Sequence, residues 1–297
     1  MLQKLIILSS LCWPLNAFAQ VNFTEINGSI LHSQYYPNAN AKFKGTIVFQ
    51  NGSGTSLKEW TENKIFFECI KQHGNVFMYD RSGLGKSPPD FSLSSTKPIT
   101  AQLVNYKLLK LLKRNHIKSP YILVSHSYGG MHAGYFARKY PDSVVGMLMV
   151  DPVPSNYQYS NRIQKQFEIA LTKMGKISSR EAYKLHSLSR QNKDNMMTAD
   201  SFYQQKGFNK SIEQVAKLPR MSSKFPIIIA SSTYMDKKAP IEGSWHSLQK
   251  QWLNQNPNSI IFKVNSGHFI QLTQPKLICE QLNKLVKIAT QSSKSKR

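Results

Sequence analysis

The sequence is poor in cysteine and poor in acid. Only three of its 297 residues are cysteine, too few to frame a small disulfide scaffold, and a chain of this length buries an adequate core without one. Beyond the first twenty residues no run reaches the ~18 uninterrupted apolar residues expected of a membrane-spanning helix. His-Glu-x-x-His, Cys-x-x-Cys and clustered carboxylates are missing, so the sequence implies no metal. Internal repeats are absent as well. The 16 Asp and Glu stand against 39 Lys and Arg, a net charge of +23. Such a surplus draws polyanions in a salt-sensitive way and says nothing about fold. No recognised nucleic-acid module accompanies it. The expectation is therefore weak association with anionic membrane or polymer surfaces and no specific nucleic acid.

What is present begins with a leader. Lys4 precedes an apolar stretch from Leu5 to Leu15, and Ala17-Phe18-Ala19 supplies a small-x-small cleavage pattern. Residues 1–19 read as a signal peptide cleaved near Ala19, which makes the mature protein exported, periplasmic or secreted. Cys12 is a poor lipidation site, because Leu11 before it is large and Ala17-Phe18-Ala19 offers a better cut. Cys69 and Cys279 then remain, either as one bridge or as two buried thiols. Hydrophobic residues make up 40% of the chain and charged residues 19%, an ordinary globular balance.

The mature chain alternates strands and helices. Asn27-Gly28, between two short alternating runs, marks a hairpin turn within Val21–Tyr36. Buried strands follow at Thr46–Gln50, Val76–Asp80, Tyr121–Ser125, Val144–Val150, Ile227–Ala230 and Ser259–Val264. Helical patterns lie at Ser56–His73, Ile99–His116 and Tyr128–Tyr140, the second carrying a stripe of Leu103, Tyr106, Leu109 and Leu112 widened by Leu108 and Leu111. This order predicts an α/β protein with a mainly parallel sheet and helices on both faces. Residues 154–220 break the rhythm: they hold no strand run, are rich in Gln, Asn, Ser and Lys, and read as helices inserted between two core parts, 20–153 and 221–297. Ser292–Arg297 is a basic tail.

Chemistry begins where the Tyr121 strand ends. Ser125-His126-Ser127-Tyr128-Gly129 runs straight into a helix, the setting of a nucleophile elbow, in which a sharp turn lifts a serine above the sheet and needs small residues two before and two after it. Ser127 is the candidate nucleophile; a helix-capping serine is the plainer alternative. A serine hydroxyl needs a base. Of eight histidines, His268 in Ser266-Gly267-His268-Phe269 sits just past the last strand, from where it can reach Ser127. His126 and His132 flank the elbow and read as structural, His246 as packed on a helix, and His186 lies in the inserted segment.

Together with Gln50-Asn51-Gly52-Ser53-Gly54 and Asp80-Arg81-Ser82-Gly83-Leu84-Gly85-Lys86-Ser87, these motifs resemble the α/β-hydrolase fold superfamily, in particular its bacterial exported serine-hydrolase branch. The resemblance spans nearly all of the mature chain; Ser125, where the family commonly has Gly, departs from the pattern. It implies the α/β-hydrolase fold with a helical cap, residues 154–220, inserted after strand 6. Cap residues such as Phe167, Met174 and Phe202 would line an acyl pocket or form the cap's own core. The resemblance also implies an oxyanion hole from the backbone N–H groups of Ser53 and Tyr128. Two positions compete for the triad acid: Asp151 after the sixth strand, and Asp236 after the seventh. Asp151 is favoured, because the glycine that usually introduces the later acid loop is missing and Trp245-x-x-x-Gln249 marks relatives that lack an acid there. Dehalogenases and epoxide hydrolases of this fold use an Asp nucleophile, so Ser127 points instead to a carboxylic ester, a small-molecule substrate, and no cofactor. The Asp80–Ser87 loop reads as a turn shaping the site floor rather than a phosphate cradle, since Pro88-Pro89 follow where a helix should start. A non-catalytic binding protein on the same scaffold, attached to anionic envelope polymers, is the competing expectation.

Overall fold

The computed structural model describes residues 19–93, 96–157, 203–204, 206–238 and 243–294. Residues 1–18, nearly all of the expected leader, and 158–202 with 205, most of the expected cap, lie outside the described residues. Eight strands form one sheet: β1 (Gln20–Ile26), β2 (Ser29–Tyr36), β3 (Thr46–Gln50), β4 (Asn75–Tyr79), β5 (Tyr121–His126), β6 (Val144–Val150), β7 (Ile227–Ser232) and β8 (Ile260–Val264). Their spatial order is β1-β2-β4-β3-β5-β6-β7-β8. The first two strands pair antiparallel with each other, β2 pairs antiparallel with β4, and every later pairing is parallel. Asn27 and Gly28 both take positive φ, 51° and 78°, as the hairpin between β1 and β2 requires.

The central strands β3, β5, β6 and β7 are almost wholly buried and mainly apolar because both their faces are covered. On one face pack α3 (Ala101–Arg114), α4 (Gly129–Lys139) and α5 (Phe208–Ala216), around Leu108, Leu111, Met131, Phe136 and Met149. On the other pack α2 (Lys64–His73) and α9 (Pro275–Lys294), around Phe66, Ile70, Val124, Leu282 and Leu285. The remaining short helices are α1 (Lys58–Thr61), α6 (Thr233–Lys238), α7 (Trp245–Gln249) and α8 (Ile270–Thr273). Cys69 on α2 and Cys279 on α9 form a disulfide, which settles the choice between bridge and free thiols. No helix among the described residues is long and apolar enough to cross a membrane.

Two details depart from the sequence reading. The helix expected over Ser56–His73 is broken, because Asn63 turns out of helical geometry and its side chain accepts from the Phe66 N–H to start α2 afresh. On α3 the buried face is Val104, Leu108, Leu111 and Leu112, whereas Tyr106 and Leu109 are exposed. A row of residues spaced by three drifts around a helix with 3.6 residues per turn, so the stripe read from Leu103, Tyr106 and Leu109 walks out of the core.

Candidate active site

Three strand ends carry the site. β5 passes into α4 through Ser127, whose φ of 53° is a left-handed value that a non-glycine residue holds only when its surroundings fix it. Here they do. The Ser127 N–H donates to the Val150 carbonyl at 3.1 Å, and the Ser127 carbonyl accepts from Val153 and Gly130. Gly129 must be glycine, since a Cβ there would stand 2.2 Å from the Gln50 carbonyl oxygen at the end of β3. Asp151 closes β6 with a second left-handed φ, 43°, and its N–H donates to Ala230 on β7 at 2.7 Å.

These turns bring Ser127, His268 and Asp151 into one chain of hydrogen bonds. His268 Nε2 lies 2.8 Å from Ser127 Oγ, and His268 Nδ1 lies 2.6 Å from Asp151 Oδ2. The Asp151 carboxylate is fully buried. Its other oxygen, Oδ1, accepts from the Ser232 N–H at 2.9 Å, Trp245 Nε1 at 2.7 Å and Gln249 Nε2 at 3.1 Å. Trp245 and Gln249 are one turn apart on α7, so the Trp-x-x-x-Gln spacing places both donors on one face toward Asp151. Asp236, the alternative acid, lies elsewhere. It accepts from Ser244 Oγ, the His246 N–H and Lys263 Nζ, contacts that anchor the start of α7 and hold its carboxyl below the usual carboxylate range. Burial pushes the His268 imidazole below its ordinary value, with cationic His126 adding to this and Asp151 opposing it.

Beside Ser127 runs the Asn51-Gly52-Ser53 turn. A Cβ on Gly52 would stand 3.4 Å from Ser127 Cβ. Arg81 orients both peptides of this turn, donating from its two terminal nitrogens to the Asn51 carbonyl at 2.9 Å and the Gly52 carbonyl at 2.6 Å. In a trans peptide N–H and C=O point opposite ways, so fixing the Gly52 carbonyl on Arg81 turns the Ser53 N–H to the other side. The Ser53 hydroxyl accepts from Gln204 Nε2 at 2.7 Å. Tyr128, the other expected donor, follows Ser127 at the start of α4. The Asp80–Ser87 loop is a structural turn, as expected: Asp80 accepts from the N–H groups of Leu57 and Lys86 and contacts His32 Nδ1 at 2.7 Å.

One group at this site carried no sequence signal. Glu59 on α1 is buried, and its carboxylate meets His126 Nδ1, Thr55 Oγ1, Gln271 Nε2 at 2.8 Å and the Gly52 N–H at 2.9 Å. Burial opposes charge on both partners, yet each outweighs it for the other. Glu59 is held below the usual carboxylate range and His126 above the usual imidazole value, and an acceptor at each His126 ring nitrogen, the Glu59 carboxylate and the His268 carbonyl, calls for a proton on both. His132, also buried, packs edge-to-face with the Tyr128 ring; burial and the Arg81 charge keep it neutral.

Comparison with known proteins agrees with this fold. The family model for the alpha/beta hydrolase fold matches residues 45–291. An uncharacterised Bacillus subtilis (strain 168) protein, YqjL, is 28% identical over 264 residues, which cover 89% of this chain and 90% of that one. The haloalkane dehalogenase DatA of Agrobacterium tumefaciens C58 superposes with a TM-score of 0.63 at 18% identity, covering 91% of this chain and 97% of the other. The enol-lactonase of Burkholderia xenovorans LB400 gives 0.60 at 15% identity, covering 90% and 100%. At these identities the two structures share the fold alone, and their differing chemistries leave the reaction to be argued from the site.

Proposed function

We propose that this chain, which belongs to the alpha/beta hydrolase fold family, is a serine hydrolase that cleaves carboxylic esters through an acyl-enzyme on Ser127. The observation that carries the reading is the unbroken line from Ser127 Oγ through His268 to buried Asp151. Ser127 attacks the ester carbonyl while His268 Nε2 takes its proton, and the charge that develops on the carbonyl oxygen is met by the N–H groups of Ser53 and Tyr128. The tetrahedral intermediate collapses, the alcohol leaves with the proton from His268, and the acyl group remains on Ser127. Water, deprotonated by His268, then releases the acid and restores the serine. Asp151 holds the Nδ1–H tautomer and stabilises the imidazolium. Each role needs only a fixed, desolvated geometry, which the four-donor cage around Asp151 supplies.

Supporting an exported protein are the leader-like residues 1–19 and the Cys69–Cys279 disulfide, a bond that persists in oxidising compartments. The +23 charge supports weak association with anionic surfaces.

The test is a panel of p-nitrophenyl esters of increasing acyl length, run beside a haloalkane and an epoxide. The expected result is ester turnover with no release of halide or diol; halide or diol formation without ester cleavage would overturn the reading. The pH profile is a second check. His268 must be neutral to act as base, and its pKa lies below the ordinary 6.5, so kcat/KM rises with pH on a limb centred below 6.5. A limb centred above 7 would contradict this environment for His268.

A further inference from the structure

The two oxygens of Glu59 make four contacts that join three separate loops of the site. Oε2 accepts from the Gly52 N–H, the peptide just before the Ser53 N–H, and from Thr55. Oε1 accepts from Gln271, two residues past the turn that carries Phe269, and meets His126 Nδ1. His126 immediately precedes Ser127, and with both its nitrogens protonated its Nε2 donates to the backbone carbonyl of His268 itself, at 3.0 Å. Its ring stands 4.6 Å from the His268 ring and 4.7 Å from that of Phe269, centroid to centroid. Trp60, next in sequence to Glu59, packs edge-on to His126 and donates to the Asn51 side chain at 2.7 Å. Both charged side chains are almost wholly removed from solvent.

We propose that the Glu59–His126 ion pair is the positioning device of this active site, holding the serine elbow, the oxyanion turn and the backbone of the base at one fixed spacing. This rests on the serine-hydrolase reading above and adds to it a residue, Glu59, outside the triad. A buried ion pair is a poor way to gain stability, because burial of the charges offsets their attraction. It is a good way to fix direction: a carboxylate accepts in two in-plane directions and a doubly protonated imidazole donates in two others, so the pair sets relative orientation as well as distance. The substitution Glu59→Gln would present an NH2 group where either the Gly52 N–H or the His126 and Gln271 donors must be accepted. One of the three loops then has to move.

The consequence falls on the chemical step, where an error of about 1 Å in placement costs about 10²-fold, and spares substrate capture. The experiment compares wild type, Glu59→Gln and the double variant Glu59→Gln/His126→Gln. Reactive serine is first titrated with a fluorophosphonate, so that kcat is expressed per competent site and loss of folded protein does not count. Glu59→Gln is expected to lower kcat per site, and the rate of fluorophosphonate reaction, by about 10²-fold, with KM within about threefold. The double variant, which leaves no lone buried charge, is expected to be no slower than Glu59→Gln, because both changes sever one device. Where the single variant fails to fold, the double variant carries the test with the same expected loss. A folded variant with kcat per site within twofold of wild type would overturn the proposal. Wild type that takes up no label would overturn the serine-hydrolase reading instead.

Discussion

Asp151→Asn is expected to lower kcat/KM by about 10⁴-fold while the protein stays folded. The size follows from which way the amide must face. Three N–H donors converge on Oδ1, from Ser232, Trp245 and Gln249, so an amide oxygen has to occupy that end. Its NH2 group then faces His268 Nδ1 and donates to it. The imidazole is forced into the tautomer with its proton on Nε2, pointing at Ser127, where it can no longer accept the hydroxyl proton. Asp236→Asn is the contrast. Its carboxylate meets Ser244, His246 and Lys263 near the surface, an exposed ion pair contributing about 1 kcal/mol at most, so turnover stays within a few-fold of wild type. Steady-state kinetics on the two variants decide between the acids. A severe loss at 236 with a mild one at 151 would reverse the assignment.

Ser127→Ala is expected to remove about 10⁶-fold in kcat. The change deletes one oxygen and keeps the Cβ, so the left-handed turn and its bonds to Val150 and Val153 survive and the melting temperature moves by no more than a few degrees. Adding His268→Ala to it should cost little more, since a base without its nucleophile has nothing to deprotonate. Losses that multiplied across the two positions would mean that the residues act separately, and would break the triad account.

Much of this site was legible in the sequence because its parts are local. The elbow is a five-residue pattern between a strand and a helix, and small residues at 125 and 129 are demanded by contacts as close as that between position 129 and the Gln50 carbonyl. His268 follows the last strand, and alternation of strand and helix implied the parallel sheet. Asp151 is favoured over Asp236 by only a narrow margin in the sequence because both follow parallel strands, and the geometry that separates them comes from a distant helix: Trp245 and Gln249 aim at one carboxylate and not the other. Glu59 was invisible for a related reason. It sits on a single turn of helix between Lys58 and Trp60, with no periodicity to say that it points inward, and its partners come from residues 52, 55, 126 and 271. The α3 stripe held at Leu108, Leu111 and Leu112 and failed at Tyr106 and Leu109, where a short pattern of threes imitated a helix face.

The central claim is an activated serine at position 127, and the most direct measurement is fluorophosphonate labelling of the purified protein, read by intact mass and peptide mapping. The account predicts one phosphonyl adduct per chain, on Ser127, lost in Ser127→Ala and suppressed in His268→Ala. A folded protein that takes up no label, or takes it up at another residue, would contradict it.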